Sequence, residues 1–195
     1  LEGDVPVERA QQAIQEGRGL DRVAFDFTGT NLSHADFDHA DLTSAILTDA
    51  IVRHTNFHDS NISGVDLSGM DLTGTILTGA DLSNTNLADV DLSGVNLSYT
   101  NLTGVDLSGK DLTDTILIGA NLSNAKLLDA NLTSANLTNA DLRNTLLVDT
   151  NLSNATLTGA DLTGAVLTGA ILTGADLENA VLTGAILNCV GHHIC

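Results

Sequence analysis

Residues 120–139 read ANLSN-AKLLD-ANLTS-ANLTN, one five-residue phrase written four times. Ala opens each copy, Leu stands third, and Asn fills the second place in three of the four. The closing residue is Asn, Asp or Ser. Outward from this stretch the phrase runs unbroken. Every fifth residue is apolar from Phe27 through Leu32, Phe37, Leu42, Leu47, Val52, Phe57 and Ile62 to Leu67, and always Leu thereafter to Leu187. A helix advances about 100° per residue, so a spacing of five would scatter these side chains over every side. In an extended chain, residues two apart share a face, so the small residue and the Leu of one phrase both point inward. The next inward pair begins three residues later, an odd step. The backbone must therefore bend once per phrase, which excludes a flat strand as well.

The expected fold is a coil of short straight edges separated by corners. The residue two after each Leu is Gly, Asn or Asp in most phrases, as at Gly64, Gly69, Gly74, Asn84, Asp89 and Gly94, the types that tolerate turn dihedrals. Period five alone does not say how many edges close a coil. A second-order repeat does: the Asp or Asn before the Leu gives way to Leu146, Val166 and Ile186, each 20 residues from the last. Four phrases per coil stack these positions on one face. The runs ADLSN (80–84), ANLTS (130–134), ANLTN (135–139) and ADLTG (160–164) resemble the pentapeptide-repeat family over about residues 25–187. The resemblance implies an all-β, right-handed quadrilateral β-helix of four phrases per turn, here about eight coils.

The composition fits a thin aliphatic core. Aromatic residues are 3% of the chain, there is no Trp, and the hydrophobic fraction of 43% argues against disorder. Against 7 basic residues stand 25 acidic ones, a net charge of −18 that repels nucleic acid and anionic membrane, so direct nucleic-acid binding and membrane insertion are not expected. No apolar run approaches a membrane span, and no segment reads as a signal peptide. Because the chain opens on Leu1 and not Met, the compartment stays open. A solenoid exposes its core at both ends, so caps are expected. In the segment 1–24, Asp4 as N-cap, Pro6 in the first turn and Val7, Ala10 and Ile14 at helical spacing predict a capping helix over about 5–16. All four Phe fall between 25 and 57, at the bulkier end of the core. The tail 188–195 holds the two cysteines, Cys189 and Cys195. An intrachain disulfide there would imply an oxidising compartment such as a periplasm or thylakoid lumen. Free thiols, as in a cytoplasm, or a bond between two chains fit the spacing equally.

Four groups of side chains invite a functional reading. On the 20-residue map His54 lies over His34, His58 over Asp38 and Asp59 over His39. Imidazole beside carboxylate suits a transition metal, so His34, His39, His54, His58 and Asp59 are weak metal candidates against the reading of ordinary polar surface. His192 and His193 are read as solvent-exposed. Asp71, Asp91 and Asp111 should stack on one face, with Asp81, Asp141 and Asp161 on others. Repeats of one exposed environment give no acid/base pair, so these residues are not read as catalytic. Lys110 occupies an inward slot and should reach an edge or pair with a carboxylate such as Asp111, while Met70 in the same slot suggests a roomier core. Leu128, Leu146, Val148, Val166 and Ile186 form an outward apolar stripe of the kind that marks an interface.

No nucleophile elbow, phosphate-binding loop, CxxC pair or HExxH motif is present. The expectation is a non-enzymatic structural or protein-interaction module without a cofactor, bound to another protein or weakly to a second copy. The alternative comes from the resemblance: some family members imitate DNA and act on gyrase, and the acidic charge suits that role. Such members often carry loop insertions and a C-terminal dimerisation helix, which this sequence lacks.

Overall fold

The structure, a computed structural model, describes residues 25–195; the expected helix over 5–16 lies outside the described residues. Those residues gather into two compact units, one ending at Val90 and one running from Asp91 to Cys195.

The local logic is clearest in one phrase of the second unit. Asn121 N–H donates to the Thr100 carbonyl of the preceding coil at 2.9 Å. Leu122 N–H donates forward to Asp141 O at 2.7 Å, and Asn124 N–H to Arg143 O at 2.9 Å. Ala125 N–H closes the turn onto Leu122 O at 2.9 Å. Ser123 N–H, which the turn points away from both neighbouring coils, donates to the side-chain Oδ1 of Asn121 at 3.0 Å. All five amide hydrogens of the phrase are thus used, as burial of a continuous backbone demands. This explains why Asp or Asn precedes the Leu: a short side-chain oxygen there reaches the amide two residues on. The same bond recurs at Asn31, Asp66, Asp91 and Asn151.

The corner residue takes positive φ in phrase after phrase, 58° at Asn84, 59° at Asn124 and 72° at Gly164. With φ positive only at the third turn position, the turn is type II. Parallel bridges join residues 20 apart, for example Leu146 to Val166 and Val166 to Ile186, and successive phrases supply four such columns. Four phrases per coil is therefore the observed closure. The expected β-edges are shorter than strands. Each is a single bridge residue, because a two-residue turn and its flanking inward residues consume the rest of the phrase.

Inward, the leucines form ladders that are almost entirely buried, such as Leu122, Leu132, Leu142 and Leu162, with Ala, Val or Thr beside them. Threonines in the small slot survive burial by donating to carbonyls: Thr150 Oγ1 reaches Leu127 O, one coil back, at 2.6 Å, and Thr100 Oγ1 reaches Leu97 O at 2.6 Å. In the first unit Phe27 and Phe37 meet across the core at 5.8 Å between ring centroids, and Phe57 stacks on Phe37 at 5.7 Å. The ladder breaks once in this unit. The bridges Asp26 to Ile46 and Asn31 to Ile51 do not continue to Asp66 and Asp71. Met70, half-buried in a slot that elsewhere mostly holds Ala, Val or Thr, lines an open recess of about 380 Å³ with Ile51, Val52 and Arg53. A side chain that long overfills the space between stacked coils, so the coils part there.

At the far end the last coil has no successor among the described residues. Leu177, Leu182 and Leu187 are half-buried where their predecessors are buried. The tail folds back to help: Val190 bridges Ile171, accepting from Leu172 N–H and donating to Ala170 O at 2.8 Å each.

Two measurements probe this architecture. Leu132→Ala should lower the unfolding free energy by about 2–5 kcal/mol, as large-to-small changes in close-packed cores do. Gly94→Ala and Gly169→Ala should each lower the Tm, because both corners sit at positive φ, 66° and 75°. Unchanged thermal melts would contradict the left-handed corner. The turn carboxylates make a second test. Asp71 is held down at about 2, first by the hydroxyl and N–H of Thr73 and then by Arg53. Asp91, Asp106 and Asp111 are lowered chiefly by the hydroxyls and N–H groups of Ser93, Ser108 and Thr113. A depressed folded pKa stabilises above the ordinary Asp value, and that contribution disappears as pH falls through the folded one. The Tm should therefore decline between about pH 4 and pH 2, less steeply in Asp111→Asn; a flat profile would contradict the assignment.

Candidate functional site

Three regions depart from the repeated phrase. The first is a histidine corner in the first unit. His34, His39 and His54 occupy corner positions at φ 64°, 57° and 58°, places held elsewhere mostly by Gly, Asn or Asp. Coil stacking fixes their partners. His34 and His54 lie parallel, ring centroids 5.0 Å apart, and His39 N–H donates to His58 O at 2.9 Å. Asp59, itself a corner at φ 49°, brings Oδ2 to 3.3 Å from His58 Nε2 and 3.7 Å from His39 Nδ1. His58 is oriented twice: its N–H donates to Asn56 Oδ1, and its Nδ1 lies 2.8 Å from Thr78 O and 2.9 Å from Thr78 Oγ1. Asp38 Oδ2 is 3.7 Å from His39 Nε2, while its Oδ1 is buried without a hydrogen-bond partner. The 20-residue map thus brings His39, His58 and Asp59 together and pairs His34 with His54 apart from them. Among the described residues, no three His, Cys, Asp or Glu side chains are gathered into a ready metal cage.

The second region is apolar. Bridges join Leu146, Val166 and Ile186 in one column, with Leu128 and Val148 on the same edge. Ile186 is 49% exposed; the other four are half-buried because neighbours in the column cover one another. An apolar residue in this place forfeits the side-chain bond to the amide two residues on. The face accepts a local loss that the Asx phrase avoids. Sequence reading missed the rest of the apolar surface. Ile171, Val181 and Val190 are also exposed around the last coil, and Ile46, Ile51 and Ile76 in the first unit. The signal was available: each stands where Asp or Asn is the rule, except Val190 in the tail.

The third region is the tail, where the structure joins Cys189 and Cys195 in a disulfide with Cα atoms 5.0 Å apart. The ring of His192 lies 4.2 Å from that of His193.

The carboxylate columns hold no differentiated pair. Asp91 lies near enough to raise the pKa of Asp111 slightly against the larger lowering by Thr113, yet the two are not bridged. Lys110 is half-buried. Its charge acts on Asp91 in the preceding coil, adding to the larger effect of Ser93. Elsewhere Arg53 pairs with Asp71, and Arg143 with Asp141 at 2.6 Å. The Arg53–Asp71 pair lines the recess beside Met70.

The family model for pentapeptide repeats matches in eight copies, over residues 26–59, 47–79, 77–109, 96–133, 111–144 and 160–189. Among solved structures the chain is similar to HetL, a pentapeptide repeat protein involved in heterocyst differentiation regulation from the cyanobacterium Nostoc sp. strain PCC 7120. That match is 32% identical and covers 85% of this chain and 84% of that one, with a TM-score of 0.38. Rfr23, from the cyanobacterium Cyanothece 51142, matches at 27% identity over 95% of this chain and 99% of its own, TM-score 0.33. QnrB1, a plasmid-mediated fluoroquinolone resistance protein, matches at 18% identity over 87% and 84%, TM-score 0.44. No curated protein matches the chain. The repeated phrase, its coil of four and the family match over most of the sequence have one meaning: the chain belongs to the pentapeptide-repeat family.

Proposed function

We propose that this chain is a non-enzymatic interaction module, a right-handed square solenoid over residues 25–187 whose apolar face binds another protein. The observation that carries this reading is the column Leu146, Val166 and Ile186, flanked by Leu128 and Val148. Exposed apolar surface that is contiguous, and that replaces a residue type with a defined backbone task, is best explained by a partner that covers it. The partner is a protein with a complementary apolar patch and a basic rim, since the net charge of −18 selects against acidic surfaces. A weak homodimer through the same face is the lesser form of this contact. With Cys189 and Cys195 joined, the chain suits an oxidising compartment, a periplasm or thylakoid lumen.

A second reading has one observation in its favour, the density of outward carboxylates: an acidic mimic of DNA that acts on a topoisomerase such as gyrase.

Val166→Asp combined with Leu146→Asp should abolish capture of the native partner from its host while leaving the melting profile folded. Unchanged capture by the double variant would remove the apolar face from consideration. For the second reading, inhibition of gyrase supercoiling at micromolar protein is the expected result, and no effect on supercoiling or on quinolone-stabilised cleavage would discard it.

A further inference from the structure

We propose that His39, His58 and Asp59 form a site for a divalent transition-metal ion of the zinc class, with two imidazoles and one carboxylate as ligands. Zinc holds nitrogen and carboxylate oxygen at about 2.0–2.2 Å in a tetrahedron, whose edges are about 1.6 times the bond, roughly 3.3–3.6 Å. Asp59 Oδ2 already stands 3.3 Å from His58 Nε2 and 3.7 Å from His39 Nδ1. One edge of the tetrahedron is in place and a second is a few tenths of an ångström long. The His39 side chain is 67% exposed and free to swing, which is why the three donors close on the ion instead of standing assembled.

The hydrogen-bonding pattern selects the ligating atoms. His58 Nδ1 faces the Thr78 carbonyl at 2.8 Å, and a carbonyl only accepts, so Nδ1 carries the hydrogen. In the neutral ring Nε2 then presents a lone pair to a carboxylate oxygen that also has only lone pairs to offer. Two acceptors face one another, and a cation between them resolves the conflict. An imidazole whose far N–H is tied to a backbone carbonyl is the usual outer support of a metal-ligating histidine. On the far side of the His39 ring, Asp38 Oδ2 lies 3.7 Å from Nε2, beyond hydrogen-bond reach but near enough to attract a proton there, and Asp38 Oδ1 is buried without a hydrogen-bond partner. A second proton on either ring would also ease the contact, and the experiment separates the two.

The backbone fixes the geometry. His39 and Asp59 occupy stacked corners, and the bond from His39 N–H to His58 O sets their separation. Asp59 Oδ1 rests where any side chain on residue 79 would collide, so the glycine there leaves room for the carboxylate to lean as it does. The other histidines provide internal controls. His34 and His54 stack flat on one another, and His192 and His193 lie in the tail.

The test is titration of the full chain with Zn(II) by calorimetry, with metal analysis after dialysis. One zinc per chain is expected. His39→Ala, His58→Ala and Asp59→Asn should each weaken binding about tenfold or more, while His34→Ala and His193→Ala change it less than about twofold. Asn suits the positive-φ corner, so Asp59→Asn keeps the fold and remains decisive should His58→Ala unfold. With Cu(II) in place of zinc, the electron paramagnetic resonance spectrum should report two nitrogen ligands, and one in His39→Ala. No uptake by the native chain, or uptake that survives Asp59→Asn and His39→Ala, would overturn the proposal. Uptake abolished by His193→Ala would overturn it too.

Discussion

A five-residue phrase carries five amide hydrogens, and a chain that winds on itself must find an acceptor for each. Stacking supplies three of them and the turn supplies the fourth. The fifth, on the residue after the Leu, points where no neighbouring backbone lies, and the Asp or Asn two positions earlier accepts it. Much of the molecule follows from meeting that demand wherever Asp or Asn stands in that place. The corner is left-handed because the turn is type II, with φ positive at its third position, and the small residue completes the turn against the ladder.

Much of this was legible because the demand is local. The odd period forced a bend per phrase, and the apolar substitutions at Leu146, Val166 and Ile186 gave four phrases per coil, which the bridges display directly. The stacking of His34 under His54 and of His39 under Asp59 followed from the same map. Other features depend on side-chain volume or on rotamer and escaped a pattern reading. Met70 in the sequence points to a roomier core, but the open recess it lines depends on filling, not on period. The return of Val190 to bridge Ile171 breaks the 20-residue step by one, so no periodic argument finds it. The pairing of Cys189 with Cys195 is a three-dimensional fact that spacing alone left open.

Departures from the phrase carry the functional information, because the phrase itself is spoken identically on every side. Several carboxylates in the Asx place, Asp66, Asp91 and Asp111 among them, are held low by the hydroxyl and amide two residues on, which stabilises the fold above the ordinary Asp range. Where an apolar residue takes the Asx place, the chain gives up a hydrogen bond and gains outward hydrophobic surface. Neither helps an isolated coil.

The histidine corner makes the same point by different chemistry. A corner in the left-handed region is most cheaply filled by Gly or Asn, and those residues fill most of this chain's corners. Imidazole at three corners of two successive coils, with a carboxylate at a fourth, spends conformational preference on side chains that can hold a proton or an ion. Backbone stacking then does for these groups what a pocket does in an enzyme: it fixes their separation without enclosing them. A surface so built can hold a ligand by geometry alone, and it leaves the ligand open to whatever docks on that side.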